Sequence, residues 1–291
     1  MTPPDTALAP VSPGVRTITL DADGVVLSAL LREPRTPPRA VVVALHGGGM
    51  NAGYFDGQAH PDLSLLTLGA SLGYTVLALD RPGYRHSADR LPEGQHLTSQ
   101  AHSVLAALDD FTSRYDTGAG LFLLAHSYGA KVALSAAADP AARNLLGLDI
   151  SGCGHVYAVG GHEPFDPAGP GHRVRNWGPL RLYPPDTFRA SASVVAPMPH
   201  RERSDVSRWP ELFPGIAARV RVPVRMTFAE HEGWWRHDPE TLAGMAACFT
   251  GSPRVVVDRQ PDAGHNISLG WTARSYHLRA HAFLDECLPR Q

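Results

Sequence analysis

Lysine is almost missing from this chain: Lys131 is the only one, so 25 of the 26 basic residues are arginine. The 28 acidic residues leave a formal charge of -2. That provides neither the basic field that holds a phosphate backbone nor the acidic surplus of a solvated tail, and nucleic acid is not an expected partner. Cysteine is scarce too. Cys153, Cys248 and Cys287 are odd in number and lack motif spacing, which argues against a disulfide framework and suits a reducing compartment. No apolar run is long enough to span a bilayer, and the opening MTPPDTALAPVSPGV contains no apolar leader segment. A cytoplasmic protein with no membrane partner is therefore expected. Internal repeats are absent. So are HExxH and paired Cys/His ligands at metal spacing, despite fifteen histidines, and no metal site is expected.

What is present is enough for one large core. A chain of 291 residues with 43% hydrophobic and 19% charged residues fits a single domain with insertions. Residues 1–14 hold four prolines outside any periodic pattern and are expected to be a disordered tail. VRTITL and GVVLSALLRE, joined by DADG, form the pattern of a β-hairpin. The runs AVVVALH (40–46), YTVLALD (74–80) and GLFLLAH (120–126) are apolar throughout, as strands buried on both faces of a parallel sheet must be. Helical stretches near 61–72 and 98–115 separate them. LLGLDIS, VPVRMTFA and PRVVVD add three more strands, with helices at 239–249 and 273–287. This alternation predicts an α/β fold with a mostly parallel central sheet flanked by helices and an antiparallel hairpin at one edge. One section breaks it. From Cys153 to about Pro214 the chain is rich in Gly, Pro, Arg, His and aromatics without a long periodic segment, and a structureless loop of that length is improbable in a compact domain. A folded insertion over 153–216 is expected, interrupting a core of 15–152 and 217–291.

The stretch LFLLAHSYGAKVAL places Ser127 between a strand and a helix, at the carboxyl end of the strand, where open α/β sheets collect their chemistry. A nucleophile on such a corner needs small neighbours because the backbone crosses closely, and Ala125 and Gly129 satisfy that. The following helix aims its free N–H groups at the position of an oxyanion, with Tyr128 as the backbone donor. A serine hydroxyl also needs a base held by an acid. DAGHNISLG offers His265 after the last strand, and FAEHEGWW offers Glu230 and Glu232. HGGGMN, directly after an earlier strand, offers Gly48, with Gly49 as the alternative, for a second oxyanion donor.

Together these motifs resemble the α/β-hydrolase-fold serine hydrolases of esterase and thioesterase type. The likeness covers nearly the whole chain: HGGG at 46–49, DRPGYRHS at 80–87, AHSYG at 125–129, AEHE at 229–232 and AGH at 263–265. Two departures are visible, Ala125 where the elbow usually begins with Gly and Glu232 where the acid is usually Asp. The resemblance implies a Ser127–His265–Glu232 catalytic triad, an oxyanion hole from Tyr128 and Gly48 or Gly49, and a cap formed by the insertion. It implies no cofactor, and a small-molecule ester or thioester as the partner.

Simpler readings compete at several positions. Glu230 competes with Glu232 but reads more simply as a solvated carboxylate, Asp149 in LLGLDIS is a weaker rival for the acid, and His46 and His126 read as packing residues that orient loops. GGGMNA with Asp80 also matches a dinucleotide-binding pattern, and a Tyr-x-x-x-Lys pair fails because it would need Tyr at 127. Within the insertion, Trp177, Leu180, Leu182, Tyr183 and Phe188 supply apolar surface. Arg173, Arg175 and Arg181 supply charge. Trp177 and Arg181, with Trp234 and Trp235 beside Glu232, are the expected substrate-binding residues. An acyltransferase or cyclase would use the same triad, and a non-catalytic ligand-binding protein the same fold. The oligomeric state is left open, with a dimer as one candidate.

Overall fold

The computed structural model describes residues 10–158 and 171–289. Among these residues, eight strands form one sheet in the order β1-β2-β4-β3-β5-β6-β7-β8. β1 (Arg16–Ala22) and β2 (Val25–Arg32) make the expected hairpin, and β2 runs antiparallel to β4 (Thr75–Leu79). The rest, β3 (Val41–Leu45), β5 (Leu121–His126), β6 (Leu145–Ser151), β7 (Val224–His231) and β8 (Val255–Gly264), pair in parallel.

The unbroken apolar runs have a direct cause. In β3, Val41, Val43 and Leu45 enter one core and Val42 and Ala44 the other; β5 divides likewise, with Leu121, Leu123 and Ala125 opposite Phe122 and Leu124. Successive side chains of a strand point to opposite faces, so a strand covered on both sides is apolar along its length except where a buried polar residue finds a partner. The first face is covered by α2 (Leu97–Arg114), α3 (Tyr128–Ala137) and α8 (Pro239–Ala247), the second by α1 (Leu65–Ser71) and α9 (Ala273–Cys287). The helix expected over 61–72 is divided, with a 3₁₀ turn at Pro61–Leu63 ahead of α1, because Ser64 caps α1 by accepting the Thr67 amide at 3.0 Å.

Between β6 and β7 the chain forms α4 (His172–Trp177), α5 (Thr187–Ala190), α6 (His200–Val206) and α7 (Trp209–Ala217). Their shortness explains why no helical period stands out there. Two expectations are corrected. Of the tail 1–14, residues 1–9 lie outside the described residues, but residues 10–14 are not loose: the Ser12 amide donates to Asp56 at 2.8 Å and its carbonyl accepts from Val15. Leu182 and Tyr183 are buried as expected of apolar surface, whereas Leu180 is 67% exposed and Phe188 is exposed. The 3₁₀ turn at Leu180–Leu182 aims Leu182 inward and its neighbour outward.

Candidate active site

Ser127 sits between the last residue of β5 and the first of α3, with φ 53° and ψ -115°. That conformation is costly for a residue with a β-carbon, of order 1–3 kcal/mol, and persists only where its surroundings fix it. The Ser127 amide donates to the Ser151 carbonyl at the end of β6, at 2.8 Å, and its carbonyl accepts from Ala130 at 3.1 Å. At Gly129 a β-carbon would run into the backbone carbonyls of Leu45 and His46, so only glycine lets α3 start this close to β3. The strained corner lifts the serine hydroxyl off the sheet edge.

β8 and β7 deliver the other two groups. His265 follows β8, and its Nε2 lies 3.2 Å from Ser127 Oγ. Its Nδ1 donates to Glu232 Oε2 at 2.8 Å. The second Glu232 oxygen accepts the Trp234 amide at 2.9 Å, so both carboxylate oxygens are engaged and the side chain is fully buried. Nδ1 therefore carries the hydrogen and Nε2 faces the serine hydroxyl as an acceptor. Gly152, with φ +60°, packs flat beneath both His126 and His265; a β-carbon there would meet the two rings at 2.8 and 2.9 Å. Glu230 is exposed and accepts the Asp262 amide at 2.8 Å, bracing β8 away from the histidine. Asp149 is buried against Arg225 and Tyr276 and does not approach His265.

His46 and His126 are packing residues. The His126 ring stacks on Tyr54 at 4.9 Å and lies 4.8 Å from the His265 ring. Burial, reinforced by His265, holds its pKa well below the usual range, so it adds no charge beside His265. His46 is likewise held well down by burial and by Arg81. Its Nδ1 donates to the Gly47 carbonyl at 2.8 Å and its Nε2 accepts the Arg81 amide at 3.1 Å. The Arg81 side chain then donates to the His46 and Gly47 carbonyls at 2.8 and 3.1 Å, fixing the HGGG loop. Asp80, the candidate ribose ligand, is buried and accepts from Ser28 and the Ala52 amide, which leaves the dinucleotide pattern without its acid.

Ser127 and His265 open into a cavity of about 530 Å³. Trp177, Trp234 and Trp235 line it as expected. Arg181 does not: it stands exposed on the turn before Leu182, and this expectation is corrected. Arg173 and Arg203 bring the positive charge instead. Sequence reasoning missed Lys131, Tyr157, Asn176 and Met198. Met198 lies over Gly48, whose β-carbon, if present, would meet Met198 Cε at 2.9 Å. Asn176 accepts from Trp234 Nε1 at 2.9 Å, and the Tyr157 ring stacks on Trp235 at 4.2 Å. Only the aromatic and basic bias of the insertion hinted at these contacts.

No helix among the described residues is long and apolar enough to cross a membrane, and no cluster of His, Cys, Asp and Glu among them could hold a metal ion.

No curated protein matches the sequence. Among solved structures, a soluble variant of monoglyceride lipase from Saccharomyces cerevisiae is similar at 14% identity, with a TM-score of 0.72 over 98% of this chain and 100% of that one. A thermostable carboxyl esterase from Bacillus coagulans is similar at 15% identity, TM-score 0.69, over 94% and 98%. An N-acyl homoserine lactonase is similar at 16% identity, TM-score 0.67, over 95% and 98%. At such identities the likeness is one of fold. The sequence itself goes further, because residues 42–285 match the family model described as Alpha/beta hydrolase family. The span runs from β3 into α9 and takes in the serine corner, both loops that face it and the insertion, so this chain is a member of the alpha/beta hydrolase family and an enzyme of the hydrolase type.

Proposed function

We propose that the protein is a serine hydrolase that cleaves a carboxylic ester or thioester of a small acyl substrate, with Ser127 as nucleophile, His265 as base and Glu232 as the acid that orients it. The observation that carries this is the hydrogen-bonded chain of Ser127, His265 and Glu232 at 3.2 and 2.8 Å, beginning on a strained backbone corner that faces a cavity. In this scheme Ser127 Oγ attacks the substrate carbonyl carbon while its proton passes to His265 Nε2. Glu232 stabilises the imidazolium without taking its proton. The carbonyl oxygen becomes an oxyanion held by the Tyr128 amide at the start of α3 and by an amide of the HGGG loop. The Gly49 amide already donates to Tyr84 Oη at 3.0 Å, which supports Gly48 over Gly49 as the loop donor. His265 then returns the proton to the leaving alcohol or thiol. Water attacks the acyl-serine by the same route in reverse and restores the hydroxyl.

The insertion over 153–216 acts in this reading as a cap that selects substrates. His172, Asn176, Trp177, Pro197 and Met198 share the cavity lining with Ser127, which supports it. The three free thiols suit a reducing, cytoplasmic setting. The test is hydrolysis of a panel of 4-nitrophenyl esters and acyl thioesters by the wild type and by Ser127→Ala. Turnover should fall by roughly 10⁴-fold or more in the variant. A variant that keeps a tenth of wild-type turnover would end the proposal.

A further inference from the structure

Lys131 follows Ser127 by one turn of α3 and opens into the same cavity. Its setting is unusual for a lysine. The residue is 3% exposed, and its ammonium lies 4.7 Å from the centroid of Trp209 and 4.5 Å from that of Trp235. Nζ has no hydrogen-bond partner among the described residues, although an ammonium has three donors to place. In a chain that otherwise uses only arginine for positive charge, this position holds the compact ammonium that two facing indoles can accommodate. The indole faces attract the cation but cannot accept its hydrogen bonds as an oxygen would.

No carboxylate among the described residues answers it. The titratable group that bears on Lys131 is the Cys153 thiol, and burial pushes that thiol up, away from the thiolate that would offset the ammonium. Three buried acids that lie within two residues of cavity-lining positions in the chain are engaged elsewhere. Glu202 accepts from Arg81, Tyr84 and Gln100, Asp205 from the Leu97 amide, and Glu232 from His265 and the Trp234 amide. Among the described residues that line the cavity there are Lys131, Arg173 and Arg203 but no Asp or Glu. Burial lowers the Lys131 pKa to about 8, which still leaves most of the ammonium charged at neutral pH.

We propose that Lys131 is a specificity residue that receives a carboxylate carried by the substrate, and that the preferred substrates are esters bearing an anionic carboxylate on the acyl or the leaving-group side, such as monoesters of dicarboxylic acids. The proposal rests on the serine hydrolase reading above. A carboxylate supplies the acceptors that Nζ lacks, and Tyr157 and Trp235, which line the cavity, suit the short apolar chain joining it to the scissile carbonyl. Charge-assisted bonds in so dry a site are strong, and a site built around one discriminates sharply against analogues that lack the partner.

The test compares two matched pairs: the 4-nitrophenyl monoester of glutarate against 4-nitrophenyl valerate, and 4-butyryloxybenzoate against its methyl ester. The wild type should prefer the carboxylate member of at least one pair by about tenfold or more in kcat/KM, and Lys131→Met should reduce that ratio to about unity. Ratios that are the same in both proteins, or no carboxylate preference in either pair, would overturn the inference. A second measurement does not depend on turnover or on Lys131→Met alone. Glutarate is titrated into Ser127→Ala and followed by tryptophan fluorescence, where Trp209 and Trp235 flank the ammonium. A saturable change that Ser127→Ala/Lys131→Met abolishes is the expected result, and no change in Ser127→Ala would refute it. If neither member of a pair is cleaved while glutarate still binds, the hydrolase reading fails and the anion site stands. If neutral esters are cleaved while glutarate gives no response, the reverse holds.

Discussion

Arg81 and Glu202 form an ion pair at 2.5 Å with neither side chain reaching solvent. The pair joins α6 of the insertion to the loop after β3, because the same guanidinium donates to the His46 and Gly47 carbonyls. Tyr84 and Gln100 also donate to Glu202 at 2.7 and 3.0 Å, so the buried carboxylate is well satisfied. Asp205, one turn along α6, accepts the Leu97 amide at 2.7 Å and so caps α2. Two acids on one face of a short helix thus hold the insertion to the core.

Removing one member of a buried pair leaves the other charge uncompensated, at a cost of about 3–5 kcal/mol. Glu202→Leu should lose stability by that amount in urea unfolding. Arg81→Met/Glu202→Leu should recover a large part of the stability but not the activity, since the HGGG loop would still lack its brace. Equal stability of Glu202→Leu and the wild type would show that the pair does not anchor the insertion.

Two glycines should respond in opposite directions to alanine. Gly129→Ala must displace the backbone carbonyls of Leu45 or His46, and over-packing of this kind costs about 1–3 kcal/mol or more. Gly244 lies within α8 with nothing within 4 Å of its would-be β-carbon, so Gly244→Ala should stabilise by roughly 0.5–1 kcal/mol. Thermal midpoints of the two variants check both signs.

Glu232→Gln should leave a folded protein whose kcat is lower by about 10⁴-fold, the scale seen when the acid that orients a catalytic histidine is neutralised. Glu230→Gln should stay within about threefold of wild type, because that carboxylate is exposed and braces only the Asp262 amide. Steady-state rates on one ester decide it, and the opposite ranking would reassign the acid.

Lys131 gives a pH dependence with a definite sign. Its folded-state pKa is lowered from 10.5 to about 8 by burial. Below pH 8 both folded and unfolded chains hold the proton, and the full penalty of a buried ammonium is present. Between about pH 8 and 10.5 the unfolded chain binds more protons than the folded one, so the penalty fades as pH rises. Lys131→Met should therefore be more stable than the wild type at pH 7, by an amount on the order of 3 kcal/mol, with the difference shrinking towards pH 10.5. A difference that does not change with pH would mean that the lysine is not desolvated in the folded state.

Much of this site was legible in the chain because it lies on strand ends. Ser127 and Glu232 follow the buried strands β5 and β7, His265 follows the half-buried β8, and the order of the sheet brings those ends together. The offset after the strand pointed to Glu232 over Glu230 through the resemblance, and the two carboxylates do part beyond Ala229, Glu232 towards His265 and Glu230 towards the Asp262 amide. The insertion was opaque for a different reason. Its helices are short, and HRERSDV reads as a solvated charged segment until Arg81 and the Leu97 amide are known to lie beneath Glu202 and Asp205. Nothing in the sequence marked Lys131 beyond its being the single lysine, because the indoles that enclose it come from α7 and from the loop after β7. Arg181 was singled out by composition alone, and a single 3₁₀ turn sends it to solvent.

The most direct measurement is the reaction of the folded protein with a neutral fluorophosphonate, followed by peptide mapping. One adduct per chain is expected, on Ser127 Oγ, and it should be lost in Ser127→Ala and greatly slowed in His265→Ala. A wild-type protein that forms no adduct, or forms it on another residue, would contradict the assignment of Ser127 as the nucleophile.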